Sequence, residues 1–232
     1  MKYEEKLIRG TLVKRYKRFF ADVELADGSI VTAHCPNTGS MKTCGSAGDT
    51  VYIQPNANPK RKLKFTWELT KTKGGYIGVN TGRPNHIVFE AIESNIIPEL
   101  TGYESHLQEK KYGKNSRIDI LLESASKPQC FVEIKNTTLL HEGQLVFPDS
   151  VTSRGLKHIH ELANEIKKGN RGVMFYLCNR PEGDLFSPAE HIDPEYAKAL
   201  KTAYNKGLEI LAYRVNHTLT GSRVGEKIAI KL

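Results

Sequence analysis

The segment Phe131-Val132-Glu133-Ile134-Lys135 places two opposite charges inside an apolar run. Residues i and i+2 share one face of a β-strand. Glu133 and Lys135 therefore project together, and Val132 and Ile134 point to the other side. Burying such charges without partners costs several kcal/mol, so the pair needs a reason to be there. A second carboxylate interrupts the run Arg117-Ile118-Asp119-Ile120-Leu121-Leu122. The stretch Glu123–Gln129, with Pro128, is long enough to fold this strand back on the first. Two carboxylates brought together repel unless a divalent cation lies between them, and oxygen ligands suit Mg²⁺ or Mn²⁺. A lysine beside that pair can polarise a phosphate or orient an attacking water. Asp119, Glu133 and Lys135 are thus candidates for phosphodiester hydrolysis, with Asp119 and Glu133 as metal ligands. A buried structural salt bridge is the plainer alternative. Glu90, in a buried-looking helix, is a further candidate acid and metal ligand; an exposed helix flank is its plainer alternative.

Arg154 and His158 fall on one helix face, four residues apart. With Lys157 they could grip a phosphate or assist the acidic pair. The same residues also make an ordinary solvated face. Asp149, just upstream, is a candidate cap for that helix. Near the start, Lys14-Arg15-Tyr16-Lys17-Arg18-Phe19-Phe20 interleaves cations with aromatics. Phosphates pair with cations, and bases stack on rings. Lys60-Arg61-Lys62-Leu63-Lys64 is a second basic cluster, next to Phe65 and Trp67. Two such clusters on a small barrel point to nucleic acid, and no residue here distinguishes DNA from RNA or single strands. Asn37-Thr38-Gly39-Ser40-Met41 reads as a tight turn or backbone nest and is not a Walker loop. No GxGxxG, GxSxG or HExxH occurs, so nucleotide-hydrolysis, serine-hydrolase and zincin readings lack support.

These residues need elements to hold them. The first 80 residues read as short strands: Leu7–Lys14, Arg18–Leu25, Ser29–His34 after an Asp27-Gly28 turn, Thr50–Gln54, Lys64–Thr72 and Tyr76–Val79. Pro55–Pro59 is expected to break the chain. Short antiparallel strands at this spacing predict an OB-like β-barrel. After Gly82-Arg83-Pro84 the pattern changes. Asn85 is expected to cap a buried helix running to about Ile97. Strands are expected over Arg117–Leu122 and Cys130–Thr137. A helix follows over Ser153–Lys168, with Leu156, Ile159, Leu162, Ala163 and Ile166 inward and Arg154, Lys157, His158, Glu161 and Glu165 outward. Strand Gly172–Leu177, a helix from Asp193-Pro194 to about Asn205, strand Leu208–Val215 and a last strand within Lys227–Leu232 complete an α/β domain with parallel pairs. Two domains follow, residues 1–82 and 83–232.

The charge distribution agrees with that division. Of a net charge of +8 over 232 residues, residues 1–82 hold 14 Lys and Arg against 7 Asp and Glu, and residues 83–232 hold 20 against 19. A basic arm joined to a near-neutral domain suits polyanion binding. The four cysteines (Cys35, Cys44, Cys130, Cys178) form no CxxC pair, and their gaps fit neither a disulfide framework nor a common zinc site. No apolar run approaches a membrane span, and the opening MKYEEKLIRG lacks a secretory h-region. A cytoplasmic protein without a membrane partner is expected; oligomeric state is left open.

The sequence resembles the sugar fermentation stimulation protein family. The resemblance is carried by Leu12–Phe19, Ala33-His34-Cys35-Pro36-Asn37-Thr38-Gly39, Ser116-Arg117-Ile118-Asp119, Val132–Leu139, Phe147–Gly155 with Lys157-His158, and Ile192-Asp193-Pro194 with Tyr196-Ala197. It spans nearly the whole chain. It implies an N-terminal OB-like domain and a C-terminal α/β restriction-endonuclease-like domain with the PD-(D/E)xK signature. It also implies DNA binding and a role in regulating sugar, particularly maltose, metabolism. By position, Asp119, Glu133 and Lys135 become that signature, with Glu90 as the helix acid. Ile118 stands where the signature has proline, and Ser40-Met41 stands where a basic residue is expected. Two functions follow: a Mg²⁺- or Mn²⁺-dependent endonuclease or exonuclease of low sequence specificity, or a catalytically silent DNA-binding regulator of sugar metabolism.

Overall fold

The structure is a computed structural model that describes residues 1–58, 60–113 and 116–232. The expected break at Pro55–Pro59 ends on Pro59, which lies outside the described residues.

Six strands form the first unit: β1 (Ile8–Tyr16), β2 (Phe20–Leu25), β3 (Ile30–His34), β4 (Thr50–Pro55), β5 (Phe65–Lys71) and β6 (Tyr76–Gly78). Their order is β3-β2-β1-β4-β5-β6, and β3 also pairs with β5 in parallel through Ala33–Phe65 and His34–Thr66. That closure makes β1–β5 a barrel of OB type and removes their free edges. Alternate residues of each strand point inward, so Leu12, Val23, Val51, Ile53 and Trp67 fill the barrel. Gly10 lies where strands crowd: a Cβ there would sit 2.3 Å from Val23 Cγ1 and 2.8 Å from the Glu24 carbonyl oxygen.

The second unit begins with α1 (Pro84–Glu93), then β7 (Ser105–Tyr112), β8 (Ser116–Glu123) and β9 (Cys130–Thr137). After β10 (Leu139–His141) and β11 (Gln144–Phe147) come α2 (Ser153–Lys167), β12 (Arg171–Cys178), β13 (Leu185–Pro188), α3 (Pro194–Tyr204), β14 (Glu209–His217), β15 (Ser222–Lys227) and β16 (Ala229–Ile230). The main sheet runs β15-β14-β12-β9-β8-β7. Its centre, β9, β12 and β14, is parallel, and antiparallel strands flank it. β10, β11, β13 and β16 form a smaller sheet. One face of the main sheet packs on α1 through Ile87, Val88, Ala91 and Ile92. The other packs on α2 and α3 through Ile159, Leu162, Tyr196 and Leu200. Both faces are covered, as parallel strands require.

Several expectations are corrected. The first helix ends at Glu93, four residues short of Ile97. Its N-cap residue is Arg83, with no side-chain cap, and Pro84 opens it; Asn85 is turned to another use. β7 was not foreseen, because its exposed charged middle, Gln108–Lys111, hides the strand pattern. Thr152, not Asp149, caps α2 by accepting the Gly155 N–H at 3.0 Å. The outward face expected for α2 is also half wrong. His158, Glu161 and Glu165 are buried beside Ile159 and Leu162. Asp193 caps α3 as expected, accepting the Tyr196 N–H at 3.0 Å. No helix among the described residues is long and apolar enough to cross a membrane, and all four cysteines are free and buried.

Candidate metal and nucleic-acid site

The site forms where two neighbouring strands part. β8 and β9 pair from Leu122–Cys130 to Ile120–Val132 and no further, although both strands continue. At that point β8 also changes face. Ile120 and Leu122 lie in the α1-side core, but Ile118 lies in the opposite one. Strict alternation would put all three on one face. Asp119 sits at the switch and turns into the gap. Glu109 on β7, bracketed by the pairs Gln108–Ile120 and Lys110–Ile118, shares the irregularity with φ +54°.

Within the gap the Asp119 carboxylate replaces the missing strand partner. Its Oδ2 accepts the Ile134 N–H at 2.7 Å, and its Oδ1 accepts the Asn85 side-chain amide at 2.8 Å. Asn85 was expected as a helix cap; it is instead the contribution of α1 to the site. Its position in the first turn of a helix entering over the sheet was the available signal. Burial pushes the Asp119 carboxyl up to about 6, and the Glu133 charge adds to the rise; the Ile134 and Asn85 hydrogen bonds and Lys135 oppose it. Glu133 is therefore close enough to act on Asp119 electrostatically.

Glu133 is 3% exposed. Its Oε1 accepts Lys135 Nζ at 2.7 Å and bonds His158 Nδ1. Burial raises its carboxyl pKa, but the His158 and Lys135 contacts more than offset that, and the net shift is downward. Its Oε2 is buried and has no hydrogen-bond partner among the described residues. Lys135 Nζ also lies 3.2 Å from His158 Nδ1, and Arg154 Nε donates to His158 Nε2 at 3.5 Å. The expected Arg154–His158 face of α2 thus docks on the pair, with Arg154 exposed at the outer end and His158 buried. Tyr112, at the end of β7, is pushed well above the usual phenol range by burial and by Glu133, Glu161, Asp119 and Glu165.

Glu90 is not brought in. Five residues beyond Asn85, it is turned by about 140° around the helix axis. Its carboxylate pairs with the amino terminus of Met1 and is half exposed. Among the described residues no group of three or more His, Cys, Asp or Glu is placed to hold a metal. Two carboxylates remain, Asp119 and Glu133, together with the edge of Ile134. Strand alternation puts the Ile134 carbonyl on the same edge as its N–H, facing the gap. A hard divalent ion that keeps several waters needs only one or two carboxylates from the protein. The donor set fits such an ion, and the orphaned Glu133 Oε2 is an oxygen it could use.

The basic clusters of the barrel fall at the end of β1 with the β1–β2 turn and on the β4–β5 connection; these are the loops with which OB barrels hold oligonucleotides. Lys17 and Arg18 form a left-handed turn (φ +47° and +63°) and are exposed, as is Phe19 at 49%. Lys14 is exposed, 3.6 Å from Asp22 and 5.3 Å from the Tyr16 ring centroid. Lys60, Arg61, Lys62 and Lys64 are exposed. Arg15 differs from the expectation: its guanidinium donates to the carbonyls of Asn37 and Gly39 at 2.8 and 3.0 Å, so it braces a loop. Trp67 is fully buried and donates to the Leu69 carbonyl. It is core, not a stacking platform.

Two family models match the chain: the SfsA N-terminal OB domain over residues 13–79 and the sugar fermentation stimulation protein RE domain over residues 82–221. The chain belongs to the sugar fermentation stimulation protein family. It is 47% identical over 226 residues to the homolog of Geotalea uraniireducens, covering 97% of each chain. It is 49% identical over 234 residues to that of Shewanella putrefaciens, covering 100% of each. Among solved structures, SfsA of Pyrococcus furiosus in complex with Ca²⁺ matches with a TM-score of 0.89 at 26% identity, covering 100% of this chain and 98% of that one. The fold is accordingly an OB barrel followed by a restriction-endonuclease-like α/β domain, as the residues and the resemblance implied.

Proposed function

We propose that this family member binds DNA through its barrel and hydrolyses phosphodiester bonds at Asp119, Glu133 and Lys135 with the help of Mg²⁺ or Mn²⁺. The observation that carries the reading is the split between β8 and β9. It turns Asp119 onto the Ile134 N–H, next to Glu133 in the chain, and one Glu133 oxygen is buried without a partner among the described residues. A merely structural salt bridge needs neither feature: Lys135 and Glu133 would pair in an unbroken sheet. The Ca²⁺ complex of the Pyrococcus furiosus relative supports a hard, oxygen-seeking cation in this fold.

Asp119 and Glu133 would hold the ion, which supplies charge neutralisation at the phosphate and lowers the pKa of a neighbouring water. Lys135 then directs its ammonium at a phosphate oxygen. His158, tied to Glu133 Oε1, fixes which oxygen stays available. Arg154, at the rim, meets the flanking phosphate. Lys135 is paired with Glu133 at 2.7 Å; a cation held at Glu133 would compete for that carboxylate and leave the lysine for substrate.

The test is incubation of the protein with single-stranded and duplex DNA and Mg²⁺ or Mn²⁺, alongside Asp119→Ala and Lys135→Ala. Cutting by the wild-type chain alone is the expected result. Retained binding without cutting on every substrate would leave a DNA-binding regulator, with sugar metabolism as its field of action, as the surviving reading.

A further inference from the structure

Between the two units lies a groove of about 380 Å³, lined by the barrel's β1–β2 turn, the loop around Thr38 and the ends of β9 and β11. We propose that this groove is a subsite for one unpaired nucleotide, the neighbour of the phosphate held at Lys135. The proposal rests on reading Lys135 as a phosphodiester site.

Three observations converge. First, the groove continues the site. Glu133, Lys135 and Thr137 are i, i+2 and i+4 on β9, so they share a face, and Thr137 lines the groove about 6.6 Å along the strand from Lys135. Second, Thr137 is 1% exposed and its hydroxyl has no partner among the described residues. Buried hydroxyls are nearly always satisfied by protein or ordered water, so this one keeps hydrogen-bonding capacity at the edge of the groove. Third, the lining suits a base better than a phosphate. Phe147 supplies an aromatic surface at the groove, and bases stack on such rings. Asp149 adds an acceptor for a base amino group, held in place by the Ser40 N–H at 2.7 Å. Arg18 is the one cation among the lining residues. It belongs to the turn that also exposes Phe19, so a strand leaving the groove passes directly onto the barrel. A volume near the lower end of small-ligand sites admits one nucleotide, not a duplex whose major groove alone is ~12 Å wide.

The experiment compares binding of a blunt fluorescent duplex with the same duplex carrying a single-stranded tail, in EDTA. The full chain, Thr137→Val and Arg18→Gln are measured. In the wild type the tail is expected to tighten binding. Thr137→Val, which keeps shape and removes one hydroxyl, is expected to lose about three- to tenfold of that gain. Its melting temperature should hold or rise, since a buried unsatisfied hydroxyl disappears. Arg18→Gln should lose a comparable share, and blunt-duplex affinity should stay constant in Thr137→Val. A tail that adds nothing in the wild type, or a gain intact in both variants, overturns the proposal. With EDTA present no cutting enters the readout. Failure of the hydrolytic reading would appear separately, as a tail preference without cleavage when Mn²⁺ is restored.

Discussion

The barrel and the α/β domain differ in how their charges are placed and paired. In the barrel the cations of the β1–β2 and β4–β5 loops stand in solvent around a core that includes Trp67, Leu69 and Ile53, and the buried carboxylate of Glu68 on β5 is ion-paired with Arg83 at 2.9 Å. In the α/β domain the telling charges are inside: Glu133, His158, Glu161 and Glu165 are all under 9% exposed. An exposed cation costs the fold little and is screened by salt. A buried carboxylate is costly unless paired; both oxygens of Glu68 are bonded, by Arg83 and Asn80, whereas one oxygen of Glu133 has no partner among the described residues. Under the proposed function, one unit would hold a polyanion loosely and over a broad surface, and the other would hold one small region rigidly.

That contrast can be broken by separating cutting from binding. Glu133→Gln keeps the side chain's size and removes the charge between Lys135 and His158. Cleavage is expected to fall by at least about 10²–10³-fold, with DNA affinity unchanged within a factor of two in a gel-shift or anisotropy titration. A parallel loss of affinity would show that the two units do not divide the work. The reciprocal variant, Lys60→Ala/Arg61→Ala/Lys62→Ala, should weaken DNA binding by roughly tenfold or more at moderate salt. It should also reduce the slope of log K against log salt by about 2–3, given ~0.9 per phosphate contact. An unchanged slope would remove the β4–β5 loop from the binding surface.

A smaller effect sharpens the buried side of the comparison. Asp119 has its pKa raised from 3.8 to about 6, so the fold prefers it protonated. Its contribution to stability is complete below 3.8, declines as pH rises and is lost above about 6. Asp119→Asn should therefore melt above the wild type at pH 7, by about 2–4 °C for each kcal/mol relieved in a chain of this size. The gap should close toward pH 4. Divalent-ion affinity should show the mirror image, weakening as pH falls through about 6 because the proton competes for the same carboxylate. A thermal-shift series across pH, with and without Mn²⁺, checks both.

The barrel was legible because its strands are short, alternating and separated by turn residues such as Asp27-Gly28. The pairing of Glu133 with Lys135 was legible from strand alternation alone. What stayed hidden depended on contacts between distant segments. Asn85 carries a good capping side chain, and only the packing of α1 over the sheet shows that it serves Asp119 instead. Glu90 looked equivalent to a site acid because periodicity does not say which flank of an all-round apolar helix meets the sheet. The polar face of α2 was read as solvated, since nothing local reveals that Glu133 and Tyr112 wait beneath it. Asp149 and Arg15 looked like a cap and a phosphate ligand; both brace the loop around Gly39, a tertiary role without a sequence period.

The most direct examination is a crystal soaked with Mn²⁺ and measured at the manganese absorption edge. One anomalous peak touching both the Asp119 and Glu133 carboxylates is the predicted result. Saturating metal that leaves no peak between them, or places it only elsewhere on the chain, would contradict the account.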